Sequence, residues 1–272
     1  MLDEMKDEPL EEIISAYKGI NIEILCEEME DVPTGTLVSA IIELGCFVTE
    51  EIAIEMAGRE DALFWLRKLL QDGRLWHPGK RWDPFGPENA MHILALIGTP
   101  EVLQLELDML RFKEYEIGES LTEYMPYILY RFGEIAIDPL MEFITDETLT
   151  NTVIDTATKA LVVISLDHPQ HTSRVKEHIL GLMRSTKDPT ICADHIYNLL
   201  IYCDDDLLPD INKAFEDDRV DLDNLEQEDV EDIMEIMLDE ELALVKQDPL
   251  DYFSEKDIRR RFIWYYGEKE RA

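Results

Sequence analysis

Residues 157–164 read ATKALVVI, and the apolar positions Ala157, Ala160, Leu161 and Ile164 follow the i, i+3, i+4, i+7 spacing that lines one face of an α-helix. The same spacing recurs on both sides. Upstream it is met at Met125, Ile128, Leu129, Phe132, then at Ala90, Ile93, Leu94, Ile97, and again at Leu37, Ala40, Ile41, Leu44. Downstream it returns at Ile196, Leu199, Leu200, Cys203. From Ala90 onward the first members stand 35, 32 and 39 residues apart. That is the length of a helical hairpin, and one hairpin cannot bury its apolar face alone, so the copies stack. The step from Leu37 to Ala90 is 53 residues, which marks inserted material.

The intervals carry suitable start and stop chemistry. Thr99-Pro100, His168-Pro169 and Asp188-Pro189 set a proline at the first helical position, where its missing N–H costs nothing. Gly98 and Gly133 suit left-handed helix ends. Second helices are expected over Val102–Arg111, Ala136–Ile144, Val175–Met183 and Leu208–Phe215, and Ser120 to Glu123 fits a capping box for the helix carrying Met125. The insertion, residues 59–88, holds an amphipathic helix from Asp61 to Gln71 and then a loop rich in Gly, Pro and Trp. Ile13, Ala16, Tyr17 and Ile20 echo the quartet weakly, as terminal repeats do when one face meets water. Asn224 to Lys246 reads as one very acidic amphipathic helix, and a short helix follows Asp248-Pro249.

The predicted fold is therefore all-α, a right-handed α-α superhelix of about six to seven hairpins over residues 1–248, with residues 249–272 as a capping helix rich in Arg and aromatic residues. The stretch Leu208-Pro209-Asp210-Ile211 through Ala214-Phe215-Glu216, then Arg219-Val220-Asp221 and Glu228-Asp229-Val230, resembles the C-terminal unit of a bacterial and archaeal family of uncharacterised HEAT-like, PBS-lyase-type repeat proteins. Gly133 to Phe143 and Ala157 to Val175 fit the same pattern, so the resemblance covers Leu37 to Leu244. It implies a HEAT-like α-solenoid. Many such proteins end in a cysteine-rich SEC-C zinc motif, whose cysteines are absent here, so no zinc role is carried over.

Charge narrows the function. Sixty-one Asp and Glu against 25 Lys and Arg give a formal net charge of −36. Such a surface repels phosphate backbones and anionic headgroups, which argues against nucleic acid or membrane as partner and favours a basic protein or peptide. Cys26, Cys46, Cys192 and Cys203 are scattered with no ligand spacing, as expected of a reducing compartment. Met1 to Leu10 has neither a basic nor an apolar leader region, so a cytoplasmic location is expected.

His168, His171, His178 and His195 are the natural candidates for metal or catalysis, but two of them flank a proline in a turn and no His-Glu dipeptide occurs. No nucleophile elbow, P-loop or dinucleotide fingerprint is present. No cofactor is expected. Two segments stand out as binding candidates. The first is the loop with Trp76, His77, Lys80, Arg81, Trp82 and Phe85, which joins aromatic and basic residues in an acidic chain and either meets a partner or folds Trp76 and Trp82 back to seal the irregular repeat. The second is Arg259, Arg260, Arg261 and Trp264, which either packs on the last repeat and pairs with the acidic stretch Asp204–Glu241 or presents an arginine patch. The expected function is a non-enzymatic interaction scaffold whose acidic surface binds a basic protein or peptide. The alternatives are a metal- or small-molecule-dependent enzyme on the same scaffold, or an acidic mimic of nucleic acid.

Overall fold

The computed structural model describes residues 8–77, 84–236 and 238–269. Among the described residues every regular element is helical. In chain order these are α1 (Leu10–Lys18), α2 (Ile22–Glu28), α3 (Thr34–Leu44), α4 (Glu50–Ala57), α5 (Ala62–Gln71), α6 (Gly73–Trp76), α7 (Phe85–Ile97), α8 (Pro100–Ile117) and α9 (Ser120–Glu123). They continue with α10 (Met125–Tyr130), α11 (Ile137–Phe143), α12 (Asn151–Asp167), α13 (Pro169–Ser185), α14 (Pro189–Leu200), α15 (Leu208–Glu216), α16 (Asp229–Ile236), α17 (Leu238–Val245) and α18 (Glu255–Lys269). The architecture is an all-α helical repeat fold. It divides into two compact units, Met1–Val102 with Asp248–Ala272, and Leu103–Gln247. Residues 249–272, expected as a cap on the last repeat, thus join the N-terminal hairpins instead.

In unit 2, α10, α12 and α14 pack side by side, with α11 and α13 against them as a second layer. The quartets at Met125 and Ala157 are fully buried, which is why these segments are helices in this register. The copy beginning at Ile196 loses its last member: α14 stops at Leu200, and Cys203 lies beyond it, exposed, at φ +46°. Side-chain hydrogen bonds then tie each hairpin to the next at nearly constant sequence distance. Thr150 Oγ1 donates to Glu114 at 2.6 Å, 36 residues away. Tyr130 OH donates to Asp167 at 2.5 Å and Ser165 shares a 2.7 Å bond with Tyr202, both 37 residues apart. Arg219 donates to the Met183 carbonyl at 3.0 Å, 36 residues back. The hydrophobic period is therefore also the period of the polar stitching. Finally, α16 packs on α14 while α17 packs on α10 and α12. The acidic segment is helical over Asp229–Ile236 and Leu238–Val245, with residue 237 between them outside the described residues.

In unit 1, α7 is the central element, packed by α3, α4 and α5. It is buried on nearly every side from Phe85 to Ala95. α3 approaches α5 so closely that a Cβ on Gly35 would stand 2.8 Å from the far end of the Trp65 ring, so a larger residue there would push the indole aside. The Pro249–Phe253 turn lies on α7 and α4, and α18 packs on the Gly45–Phe47 turn.

Local punctuation follows the sequence with one exception. α8, α13 and α14 begin on Pro100, Pro169 and Pro189, and Gly98 closes α7 at φ +64°. Ser120 to Glu123, however, form their own short helix, with Tyr124 at the break before α10. Ser120 is the first residue of that helix, with Glu119 at the N-cap position.

Candidate functional site

The predicted binding residues fall into three groups. Lys80, Arg81 and Trp82 lie outside the described residues. Trp76, Phe85 and Arg261 are turned inward. Trp76 is buried and its indole N–H donates to the Leu70 carbonyl at 2.8 Å, while Phe85 meets Tyr265 edge-on at 5.5 Å. The ends of the tryptophan loop therefore seal unit 1. Arg261 is 4% exposed and donates to the Tyr252 and Cys46 carbonyls. Its guanidinium stacks 3.6 Å from the centre of the Tyr252 ring, whose other face carries His92 at 3.7 Å. The Tyr252 hydroxyl bonds Glu88 at 3.0 Å.

The remaining candidates reach the surface. His77 and Trp264 are exposed. Arg259 pairs with Glu255 at 2.6 Å and donates to the Glu8 carbonyl, and Arg260 pairs with Asp257. The arginines thus find their partners in unit 1. On this side α18 folds onto the first hairpins, with the Gly45–Phe47 turn packed against it.

The histidines do not converge. His171 bonds Glu134 at 2.7 Å, His178 the Met141 carbonyl at 3.0 Å, and His195 is buried. Among the described residues no three His, Cys, Asp or Glu side chains gather as a metal ion would require. Burial pushes His195 down to about 4, with His178 adding to the shift. Its neighbour Asp194 is driven up to about 7 by burial and then by Asp155, Asp188 and Asp221. Glu106 is fully buried with neither carboxyl oxygen hydrogen-bonded, and burial holds its pKa well above the carboxylate range. In each, desolvation is the first cause and disfavours the charged form.

A different place in unit 1 has the form of a binding site. A cavity of about 440 Å³ opens where four helices begin. α1 contributes Leu10, Glu11 and Ile14, α2 gives Ile22, Glu23 and Cys26, and α4 gives Glu50 and Glu51 behind the Thr49 cap residue. Phe253 completes the floor, with Glu255 and Ile258 from α18. Ile14, Ile22, Phe253 and Ile258 are buried, whereas Glu11, Glu23, Glu51 and Glu255 are exposed. The result is an apolar floor ringed by carboxylates. Among the described residues no basic side chain lines it, and of the five glutamates Glu255 already pairs with Arg259. The Cys26 thiol in the wall is raised, first by burial and then by Glu51, with the Thr49 hydroxyl opposing. Thr49 Oγ1 is itself shut off from water without a hydrogen bond of ordinary geometry.

Unit 2 holds a second hollow of about 550 Å³ between α8 and α11, lined by Gln104, Leu107, Arg111, Asp138 and Glu142 among others. It is already neutralised: Arg111 pairs with Asp146 at 2.9 Å and stacks on Phe143, and Arg174 pairs with Asp138. The glutamate-ringed cavity escaped the sequence reading because a glutamate in the first turn of a helix is a common answer to the helix dipole. The available signal was a repeat: Glu11 and Ile14, Glu23 and Cys26, Glu255 and Ile258 share one spacing just inside a helix start.

A family model described as "Protein of unknown function (DUF1186)" matches residues 90–265. No curated protein and no solved structure matches the chain.

Proposed function

This chain belongs to the DUF1186 family, matched over residues 90–265, and from that premise, which carries no activity, we propose that it is a non-enzymatic interaction module whose acidic surface binds a basic protein or peptide. The observation that carries this reading is the fate of the cations. Arg59, Arg67, Arg74, Arg111, Lys113, Arg174, Lys176, Arg184, Lys246, Arg259 and Arg260 each pair with a carboxylate of the same chain. With these cations neutralised locally, the surplus of carboxylates behind the net charge of −36 steers a basic partner inward and makes its association sensitive to salt.

The stacking in unit 2 supports a HEAT-like, solenoid-type reading of the repeats, since polar contacts recur 36 to 37 residues apart. Such arrays bind through broad surfaces. The free cysteines agree with a reducing, cytoplasmic setting, and among the described residues no helix is long and apolar enough to cross a membrane. The test is capture of partners from native lysate at about 50 and about 500 mM salt, a range over which the screening length falls from above to well below 10 Å. Basic partners that elute as salt rises support the reading. Capture that ignores salt, or selects acidic or neutral partners, overturns it.

A further inference from the structure

We infer that the cavity at the convergent starts of α1, α2, α4 and α18 is the docking site for a lysine side chain held between apolar residues of the partner. The inference rests on the interaction reading above and names where and how the partner is gripped.

Size is the first argument. A volume of about 440 Å³ falls in the range of specific ligand pockets and exceeds a single side chain, leaving room for a lysine and an apolar neighbour. The floor of Ile14, Ile22, Phe253 and Ile258 would cover the alkyl stem.

Charge is the second argument. Helix starts attract carboxylates, so the rim has a local explanation, but its magnitude falls short. Each helix terminus supplies roughly half a positive charge. Four such ends offset about two carboxylates, and Glu255 is offset by Arg259, so among Glu11, Glu23, Glu50 and Glu51 about two negative charges remain in excess. None of these four takes part in an ion pair among the described residues, and no basic residue among them lines the wall. An arrangement that leaves like charges around a water-poor apolar floor is completed by a cation with an apolar stem. An ammonium suits it better than a guanidinium, because the carboxylates come from separate helices around a ring rather than as one planar fork.

The chain also carries a reporter. Cys26 lines the cavity, whereas Cys203 is exposed in the other unit. The full chain is titrated with a synthetic dodecapeptide whose single lysine stands between two leucines in an otherwise uncharged sequence, and with the same peptide carrying N-acetyl-lysine. Expected is a Kd at least tenfold weaker after acetylation, and a similar loss in a Glu11→Gln, Glu23→Gln, Glu51→Gln variant, whose exposed positions spare the core. Bound peptide should slow alkylation of Cys26 severalfold while Cys203 reacts as before. Equal binding of the acetylated peptide, or unchanged Cys26 reactivity at saturation, overturns the inference. If basic partners are still captured at low salt by the triple variant as well as by the natural chain, the site is wrong and the broader reading stands. If no basic partner is captured by either, the broader reading fails, whatever the peptide does.

Discussion

Unit 2 and unit 1 are held together by opposite strategies. In unit 2 each hairpin is bonded to its neighbour across 36 or 37 residues, so contacts are local and repeated. In unit 1 the closing contacts join the chain's two ends: Tyr252 to Glu88 across 164 residues, Arg261 to Cys46 across 215 and Arg259 to Glu8 across 251. Repeat stacking loses stability a little at a time, whereas closure by a distant segment depends on that segment as a whole. Removing residues 249–272 takes away the Arg261–Tyr252–His92 stack and uncovers α7. The expected result is collapse of protection for α3, α4 and α7 amides in native-state hydrogen exchange, with α12 and α14 protected as before. Arg261→Met is the milder form. It leaves the Tyr252 and Cys46 carbonyls without their donor, at a cost of about 2–4 kcal/mol confined to unit 1. Equal losses in both units would dissolve the distinction.

Acid sharpens the comparison. His92, fully buried in unit 1, is lowered to about 3 by burial, then by Arg261. Its folded pKa lies below its unfolded value near 6.5, so the unfolded chain binds the extra proton and stability is lost as pH falls through that value. Between pH 7 and pH 5 the loss is about 2 kcal/mol. Unit 2 has the same liability in His195, lowered to about 4, but next to it stands Asp194, raised to about 7. A carboxyl raised in the folded state binds its proton there first, so Asp194 adds stability as pH falls from about 7 toward 4. The two slopes oppose one another. Hydrogen exchange, corrected for intrinsic rates, should show acid loosening α7 while α12 and α14 hold. Unit 2 amides that weaken as steeply as those of unit 1 would break the argument.

The same pair yields a smaller effect. Asp194→Asn removes a half-buried carboxylate facing Asp155, Asp188 and Asp221. At pH 7.5 the variant should be more stable than the natural chain by about 1 kcal/mol after allowing for solvent screening. That gain should vanish near pH 5, where Asp194 is already protonated. Denaturant unfolding followed through unit 2 at the two pH values reads both. A gain that persists at pH 5 would point to a packing effect.

This contrast also explains what the sequence made legible. Repeat contacts leave a period in the chain, so the quartets at Met125 and Ala157 gave the helices and their faces directly. The copy ending at Cys203 shows the limit, since spacing alone does not report that α14 has already stopped. Contacts across 164 to 251 residues leave no period at all. Arg261 therefore read only as one of three consecutive arginines, either packed and paired with an acidic stretch or part of a patch, although it is the residue that locks Tyr252 against His92. The glutamate-ringed cavity was hidden for a related reason: its residues come from four helix starts, each unremarkable by itself.

The smallest effect probes the repeat bonds themselves. Tyr130 OH donates to Asp167 Oδ2 while Lys246 Nζ reaches Asp167 Oδ1 at 2.6 Å, so one carboxylate gathers α10, the end of α12 and the residue just after α17. Tyr130→Phe removes one bond and leaves Asp167 its charged partner, so the loss should be about 0.5–1 kcal/mol. Lys246→Met should cost no more than about 1 kcal/mol, because the pair is partly exposed. Asp167→Asn disturbs both bonds. If the stitching acts as a shared node, the Tyr130→Phe, Lys246→Met double variant will lose more than the sum of the singles, since Asp167 is then left half-buried with neither donor. Strict additivity would mean that the two bonds act independently, and that the repeat holds by its apolar faces alone.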